Sequence, residues 1–266
     1  MPGVCKTGLG VCTLSLECGQ QAHFGRENVH AVRLLGTACT HDVEKDFVNL
    51  HDMNGLLPEE LPEGRLLLHS CCAPCSGAIV EALAEAYRQA GRNPSEEMAI
   101  FWSNSNICDR EEYDKRRAEI LRYAALFGIE VIDDDYDHAE WLREVAAGRE
   151  DAPERGPRCL ECFAYRLERA ARYASEHAFG TLTTSLASSR WKSLEQVDEA
   201  GRRACEAVGA DTRAMGQAAD STGQTVQWWG RNWRKGGLQP RRNEIIKEQN
   251  FYNQTFCGCE FSKVPI

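Results

Sequence analysis

The chain has 266 residues, of which 42% are hydrophobic and 27% charged. That is ordinary globular usage, with length for one or two cored domains, and it argues against wholesale disorder. Forty acidic residues face thirty-one basic ones, a net charge of −9, which excludes a protein that coats itself with nucleic acid through bulk charge. Any RNA partner must be gripped by a local basic patch. No apolar run approaches the ~18 residues of a membrane span. Nor do the first residues show a leader pattern, so a cytoplasmic protein with no membrane partner is expected.

Residues 1–63 lack clear periodicity and end in Leu57-Pro58-Glu59-Glu60-Leu61-Pro62-Glu63. They read as an N-terminal extension, poorly ordered or accessory. Cys5, Cys12 and Cys18 stand there at gaps that fit no common metal-ligand spacing. From 64 to 266 the chain reads as one α/β domain. Strands are expected at Arg65–Ser70, Ala99–Ser103, Glu130–Asp133 and Gly180–Ser185. Between and after them, helical spacing covers Ser76–Gln89, Arg110–Phe127, His138–Ala147, Cys159–His177 and Ser193–Val208. Alternation of this kind predicts a Rossmann-like parallel sheet with helices on both faces. Residues 210–262 read as an irregular and helical C-terminal segment closing the site, with a helix at Pro240–Glu248. In open sheets of this class ligands sit beyond the carboxyl ends of the strands. His69-Ser70-Cys71-Cys72, Ser103–Asn106, Asp135-Tyr136-Asp137 and Thr183-Thr184-Ser185 all fall at such ends.

Thirteen cysteines are too many for chance in a reducing compartment, where a static disulfide framework is not expected. Cys71, Cys72 and Cys75 stand at a strand-to-helix turn, and Cys159 and Cys162 open another helix as a CxxC. Backbone N–H groups at a helix start favour thiolates and metal ligation. A CC pair with a CxxC suits a four-thiolate iron–sulfur cluster better than zinc, though zinc and unliganded thiols stay open. Cys257 and Cys259 form a CxC that can close a small strained ring or supply two more metal ligands. Cys205 reads as packing, and Cys108 as a thiol near the site.

Several segments together resemble the cobalamin-independent epoxyqueuosine reductases, the QueH family of tRNA-modification enzymes. They are Leu68–Ser76 (LHSCCAPCS), Asn106-Ile107 with Glu112-Tyr113 and Arg116, and Asp135-Tyr136-Asp137. Glu154–Leu167 (ERGPRCLECFAYRL), Thr183–Leu186, Arg234–Glu248 and Tyr252–Ser262 (YNQTFCGCEFS) complete the set, covering about residues 65–262. Ser105, Cys108, Asp109 and Asn253 depart from residues frequent in the family at those places.

The resemblance implies reduction of epoxyqueuosine to queuosine at the tRNA wobble position, the last step of queuosine formation. It implies a [4Fe-4S] cluster on Cys71, Cys72, Cys159 and Cys162, and a redox-active disulfide at Cys257 and Cys259. The implied partners are a tRNA with a queuosine-type anticodon and a low-potential electron donor. A second iron nearby is an open role for Cys75. Asp137, Tyr136 and Glu112 are candidate acids or substrate contacts by location. From Trp228 to Lys247, six cations face one acid among three tryptophans, so Arg234, Lys235, Arg241, Arg242 and Trp233 are candidate tRNA contacts. A zinc-stabilised, non-catalytic RNA-binding protein is the competing reading. An ATP-using tRNA thiolase would want a phosphate loop where His69-Ser70-Cys71-Cys72 stands.

Overall fold

The computed structural model describes residues 58, 60–214 and 225–263. The expected N-terminal extension, with its four cysteines, therefore lies almost wholly outside the described residues. The rest is a five-stranded, all-parallel sheet in the order β3-β2-β1-β4-β5. Its strands are β1 (Leu66–His69), β2 (Met98–Trp102), β3 (Glu130–Asp133), β4 (Thr181–Thr184) and β5 (Gln227–Trp228). The helices are α1 (Ala73–Gln89), α2 (Pro94–Glu97), α3 (Arg110–Ala125), α4 (His138–Trp141), α5 (Pro157–Glu176), α6 (Leu194–Ala214) and α7 (Leu238–Glu248).

β1 lies in the middle of the sheet, pairing β2 through Leu66↔Met98 and β4 through Leu66↔Thr181. A strand flanked and covered on every side can be apolar throughout, and Leu66, Leu67 and Leu68 are all fully buried. Each contributes roughly 1.5–3 kcal/mol of transfer free energy. After β1 the chain winds outward through β2 and β3, then returns to β4 on the other side. The carboxyl end of β1 is thus the point where strand order reverses, the place where open sheets form a ligand crevice.

α1 begins at Ala73, three residues before the sequence expectation, with Cys72 as N-cap and Pro74 in its first turn. Proline lacks an N–H that would be unsatisfied there anyway, so it sets the helix start. The Asp109 side chain caps α3 by accepting from the Glu111 N–H at 2.9 Å. α5 and α6 pack together beside the sheet. At Gly201 a Cβ would meet the Trp228 ring at 2.4 Å, so only glycine lets β5 lie against α6. α7 packs on α1, where Arg241 forms a buried ion pair with Glu81 at 2.8 Å.

Candidate active site

The crevice at the end of β1 is built from sulfur. Cys71 donates its N–H to Ser185 Oγ at 3.0 Å, joining the ends of β1 and β4. The Sγ atoms of Cys71 and Cys72 are 3.9 Å apart, and those of Cys71, Cys72 and Cys75 all lie within 4.8 Å of one another. The three are buried. Hydrogen bonds from Cys72 and Cys75 lower the Cys71 pKa well below the ordinary thiol value. The same interactions hold Cys72 above it and Cys75 at about 11. Burial works against the charge of Lys192, yet Cys257 and the three clustered thiols hold its pKa above the usual lysine range.

Beneath this cluster His69 is fully buried between Thr184 Oγ1 at 2.7 Å and the Ser103 carbonyl at 3.2 Å. Burial and the Arg166 charge depress its pKa to about 3, so the ring is neutral. Arg166 in turn donates to the Ser103 carbonyl at 3.0 Å and to Asn104 Oδ1. Asn104 donates to the Ser70 carbonyl at 2.9 Å. These contacts fix the ends of β1, β2 and β4 relative to α5.

Cys159 and Cys162 occupy the first two turns of α5, after Gly156. The Arg155 N–H donates to Cys159 Sγ at 3.3 Å. Burial raises the Cys159 pKa and pushes Cys162 up to about 12. The C-terminal loop brings in Cys257 and Cys259, which stand as free thiols. Gly258 between them has φ of 146°, and a Cβ there would meet Asn106 Nδ2 at 2.7 Å. Arg116 holds this loop by donating to the Cys257 carbonyl at 2.9 Å and the Phe256 carbonyl at 3.2 Å.

The sulfurs face two adjoining spaces. A cavity of about 550 Å³ is lined by Cys75, Cys159 and Cys257 together with Lys192, Arg155 and Arg242. A small space of about 30 Å³ is lined by Cys159, Cys162, Cys257 and Cys259 with Asn106 and Trp141. The larger volume lies in the range of small-molecule sites. Among the described residues, only Cys71, Cys72 and Cys75 are gathered tightly enough to hold a single ion.

The other sequence candidates fare unevenly. Glu112 is buried in an ion pair with Arg116 and accepts from the Tyr252 hydroxyl at 2.8 Å. Tyr136 donates its hydroxyl to the Ile107 carbonyl at 2.7 Å, and Asp137 caps α4 by accepting from the Glu140 N–H at 2.7 Å. None of these three lines the cavity. Arg241 is not on the surface: it is consumed by Glu81, Glu244 and Glu248. Trp233 is 2% exposed and packs edge-on against Trp229, so no base can stack on it. Arg234 donates to the Lys192 carbonyl at 2.7 Å, Lys235 is exposed, and Arg242 reaches the cavity. Sequence reasoning missed Arg155, Trp191 and Lys192 as lining residues. The RGPRC run and the polar turn after β4 held the signal, but neither carries a periodicity.

The comparisons with known proteins decide the family. The model of the family described as "Epoxyqueuosine reductase QueH" matches residues 66–264. The chain belongs to the QueH family of epoxyqueuosine reductases. Relatives of that name from Histophilus somni and Haemophilus influenzae are each 42% identical over 205 residues, covering 76% of this chain and 74% of theirs. One from Thermotoga maritima is 28% identical over 201 residues, covering 75% of this chain and 90% of its own. The QueH match spans all five strands and every cysteine among the described residues.

The residues present fit an iron–sulfur cofactor by donor chemistry. Five buried or half-buried thiols stand at two helix starts, neither of which carries an acid in its first turn. Trp141 Nε1 and Asn106 Oδ1, both beside the α5 thiols, are buried without a hydrogen-bond partner. An indole N–H left unpaired next to cysteine sulfur suits the acceptor sulfur of such a cluster.

Proposed function

We propose that the cysteine-lined cavity is where this chain reduces epoxyqueuosine in tRNA, using an iron–sulfur cluster held by Cys71, Cys72, Cys159 and Cys162 and a dithiol at Cys257 and Cys259. As a QueH-family member the chain is an oxidoreductase of queuosine formation. The observation that carries the location is that Cys75, Cys159 and Cys257, from three separate parts of the chain, line one cavity with Lys192.

The reaction breaks two C–O bonds of the epoxide, forms a C=C bond and releases the oxygen as water. It consumes two electrons and two protons, which two thiols supply on closing to a disulfide. A bound cluster supplies electrons singly at low potential, which suits restoring that disulfide from an external low-potential donor. Cys257 is exposed on the cavity wall and Cys259 lies behind it, so the thiol nearer the substrate is Cys257. The ammonium of Lys192 places positive charge where the departing oxygen becomes negative, the position at which preorganised charge lowers a barrier. Cys75, the third sulfur of the cluster by β1, remains free for a separate metal or for the substrate.

The wild-type chain, incubated without oxygen with epoxyqueuosine-containing tRNA and a low-potential reductant, should yield queuosine by nucleoside mass analysis. Lys192→Gln should lower kcat by about 10²-fold with cluster content unchanged. Unconverted tRNA with the cluster intact would reject the reading. A single zinc on Cys71, Cys72 and Cys75 is the alternative their compact geometry allows, and metal analysis separates the two.

A further inference from the structure

Trp191 is 68% exposed, the most exposed large apolar side chain among the described residues. It stands at the rim of the 550 Å³ cavity and also lines an adjoining one of about 320 Å³. Exposure of this kind usually accompanies a loose loop, but here the backbone is pinned. Arg155 donates to the Trp191 carbonyl at 3.0 Å and the Arg190 carbonyl at 3.1 Å. Arg234 reaches from the other side to the Lys192 carbonyl at 2.7 Å. The Trp191 N–H donates to Ser189 Oγ at 3.3 Å. Two arginines from distant segments thus hold an apolar ring out in water, which burial alone would never favour.

The charges around it are equally pointed. Elsewhere in this acidic chain Arg92, Arg110, Arg116, Arg117, Arg169, Arg202 and Arg241 are each paired with a carboxylate. Others, such as Arg158 and Arg166, are held by carbonyl and amide oxygens. What marks this rim is that four arginines without a carboxylate gather on it. Arg155, Arg190, Arg234 and Arg242 have no carboxylate within ion-pair distance among the described residues, and all four stand at this rim. Burial and the like charge of Arg155 lower the Arg234 pKa, as expected where cations crowd without a counter-charge. Arg190 also lies over the indole, 5.1 Å from its centroid. An exposed, rigid aromatic face ringed by unpaired guanidinium groups is the composition that binds unstacked bases and their phosphates. A duplex would offer no free base face to Trp191.

We propose that Trp191 is the stacking platform for a base of the anticodon loop beside the reacting nucleotide, with Arg190 and Arg242 meeting the flanking phosphates. It rests on the reductase reading only for the identity of the RNA. Arg155 and Arg234 act as positioning residues that keep the platform rigid. The candidate contact surface thereby moves from Trp233 and Arg241, which are buried, to the turn after β4.

The test is binding of a synthetic anticodon stem–loop RNA to the full chain, followed by fluorescence and across a salt series. Trp191→Ala should weaken binding about tenfold or more, with Trp191→Phe recovering most of it. Arg190→Gln and Arg242→Gln should each weaken binding and reduce the salt slope by roughly 0.7, whereas Trp191→Ala leaves that slope unchanged. Wild-type fluorescence should be quenched by the RNA, and less so in Trp191→Phe. Wild-type affinity in Trp191→Ala, with quenching intact in Trp191→Phe, overturns the platform. Because binding is read without turnover, a wild-type chain that binds the loop but fails to reduce it overturns the reductase reading alone.

Discussion

Ser185 Oγ accepts the Cys71 N–H at 3.0 Å and donates to Cys71 Sγ at 3.4 Å, so one hydroxyl at the end of β4 fixes the first cysteine after β1. Its removal leaves a buried N–H unsatisfied, at a cost of about 1–3 kcal/mol. Ser185→Ala should lower the melting temperature by several degrees, and the iron retained per chain should fall. Ser185→Thr, which keeps the hydroxyl, should lose less of both. Calorimetry and metal analysis on the two variants check this.

The buried His69 gives the fold an acid sensitivity. Its pKa is about 3 in the folded chain against 6.5 for the free side chain. Between those values the unfolded chain takes up a proton that the folded chain refuses. The stability is therefore whole above pH 6.5 and is lost as pH falls toward 3, by up to ~1.4 kcal/mol per pH unit. His69→Gln, which can still donate to the Ser103 carbonyl, should flatten that slope in denaturation series between pH 7 and pH 4. Equal slopes in the two proteins would show that His69 is not its source.

Arg116 ties α3 to the loop that carries Cys257 and Cys259, and Glu112 fixes Arg116 through a bond of 2.7 Å. Glu112 does not line the cavity, and its carboxylate is engaged by Arg116 and Tyr252. Arg116→Met should free the loop, slow turnover, and speed alkylation of Cys257 by an external reagent. Glu112→Gln, which keeps a hydrogen bond to Arg116, should give a milder form of the same effect. Mass spectrometry of alkylated peptides measures it directly.

Arg241 joins α7 to Glu81 of α1 and also meets Glu248 at 2.8 Å. Breaking a buried pair strands the remaining charge, at a cost of roughly 3–5 kcal/mol. Arg241→Ala should therefore unfold at markedly lower denaturant while leaving the salt slope of RNA binding unchanged. A reduced salt slope with normal stability would return Arg241 to the RNA surface.

What the sequence made legible follows the strength of the local signal. The Leu66–Leu68 run could only be a covered strand, and the alternation of strands and helices dictated the parallel sheet. The two-residue β5 and the four-residue α2 were invisible, since neither is long enough to show a period. Cysteine spacing located both sulfur groups, because helix starts and thiol chemistry are local. Charge counting offered Arg241 and Trp233 as RNA contacts, and both side chains are buried. Local composition cannot tell an arginine that meets solvent from one that meets Glu81, a residue 160 positions away. Trp191 escaped notice for the converse reason: its exposure is set by Arg155 and Arg234, both distant in sequence.

Iron and acid-labile sulfide analysis of the chain prepared without oxygen, alongside Cys71→Ser and Cys162→Ser, tests the central claim most directly. Thiols from the β1 turn and from the start of α5 should hold one cofactor, so the wild type should be brown and carry about four iron and four sulfide. Either substitution should abolish both. A colourless protein with zinc and no sulfide, or a cluster that survives loss of Cys162, would contradict the account.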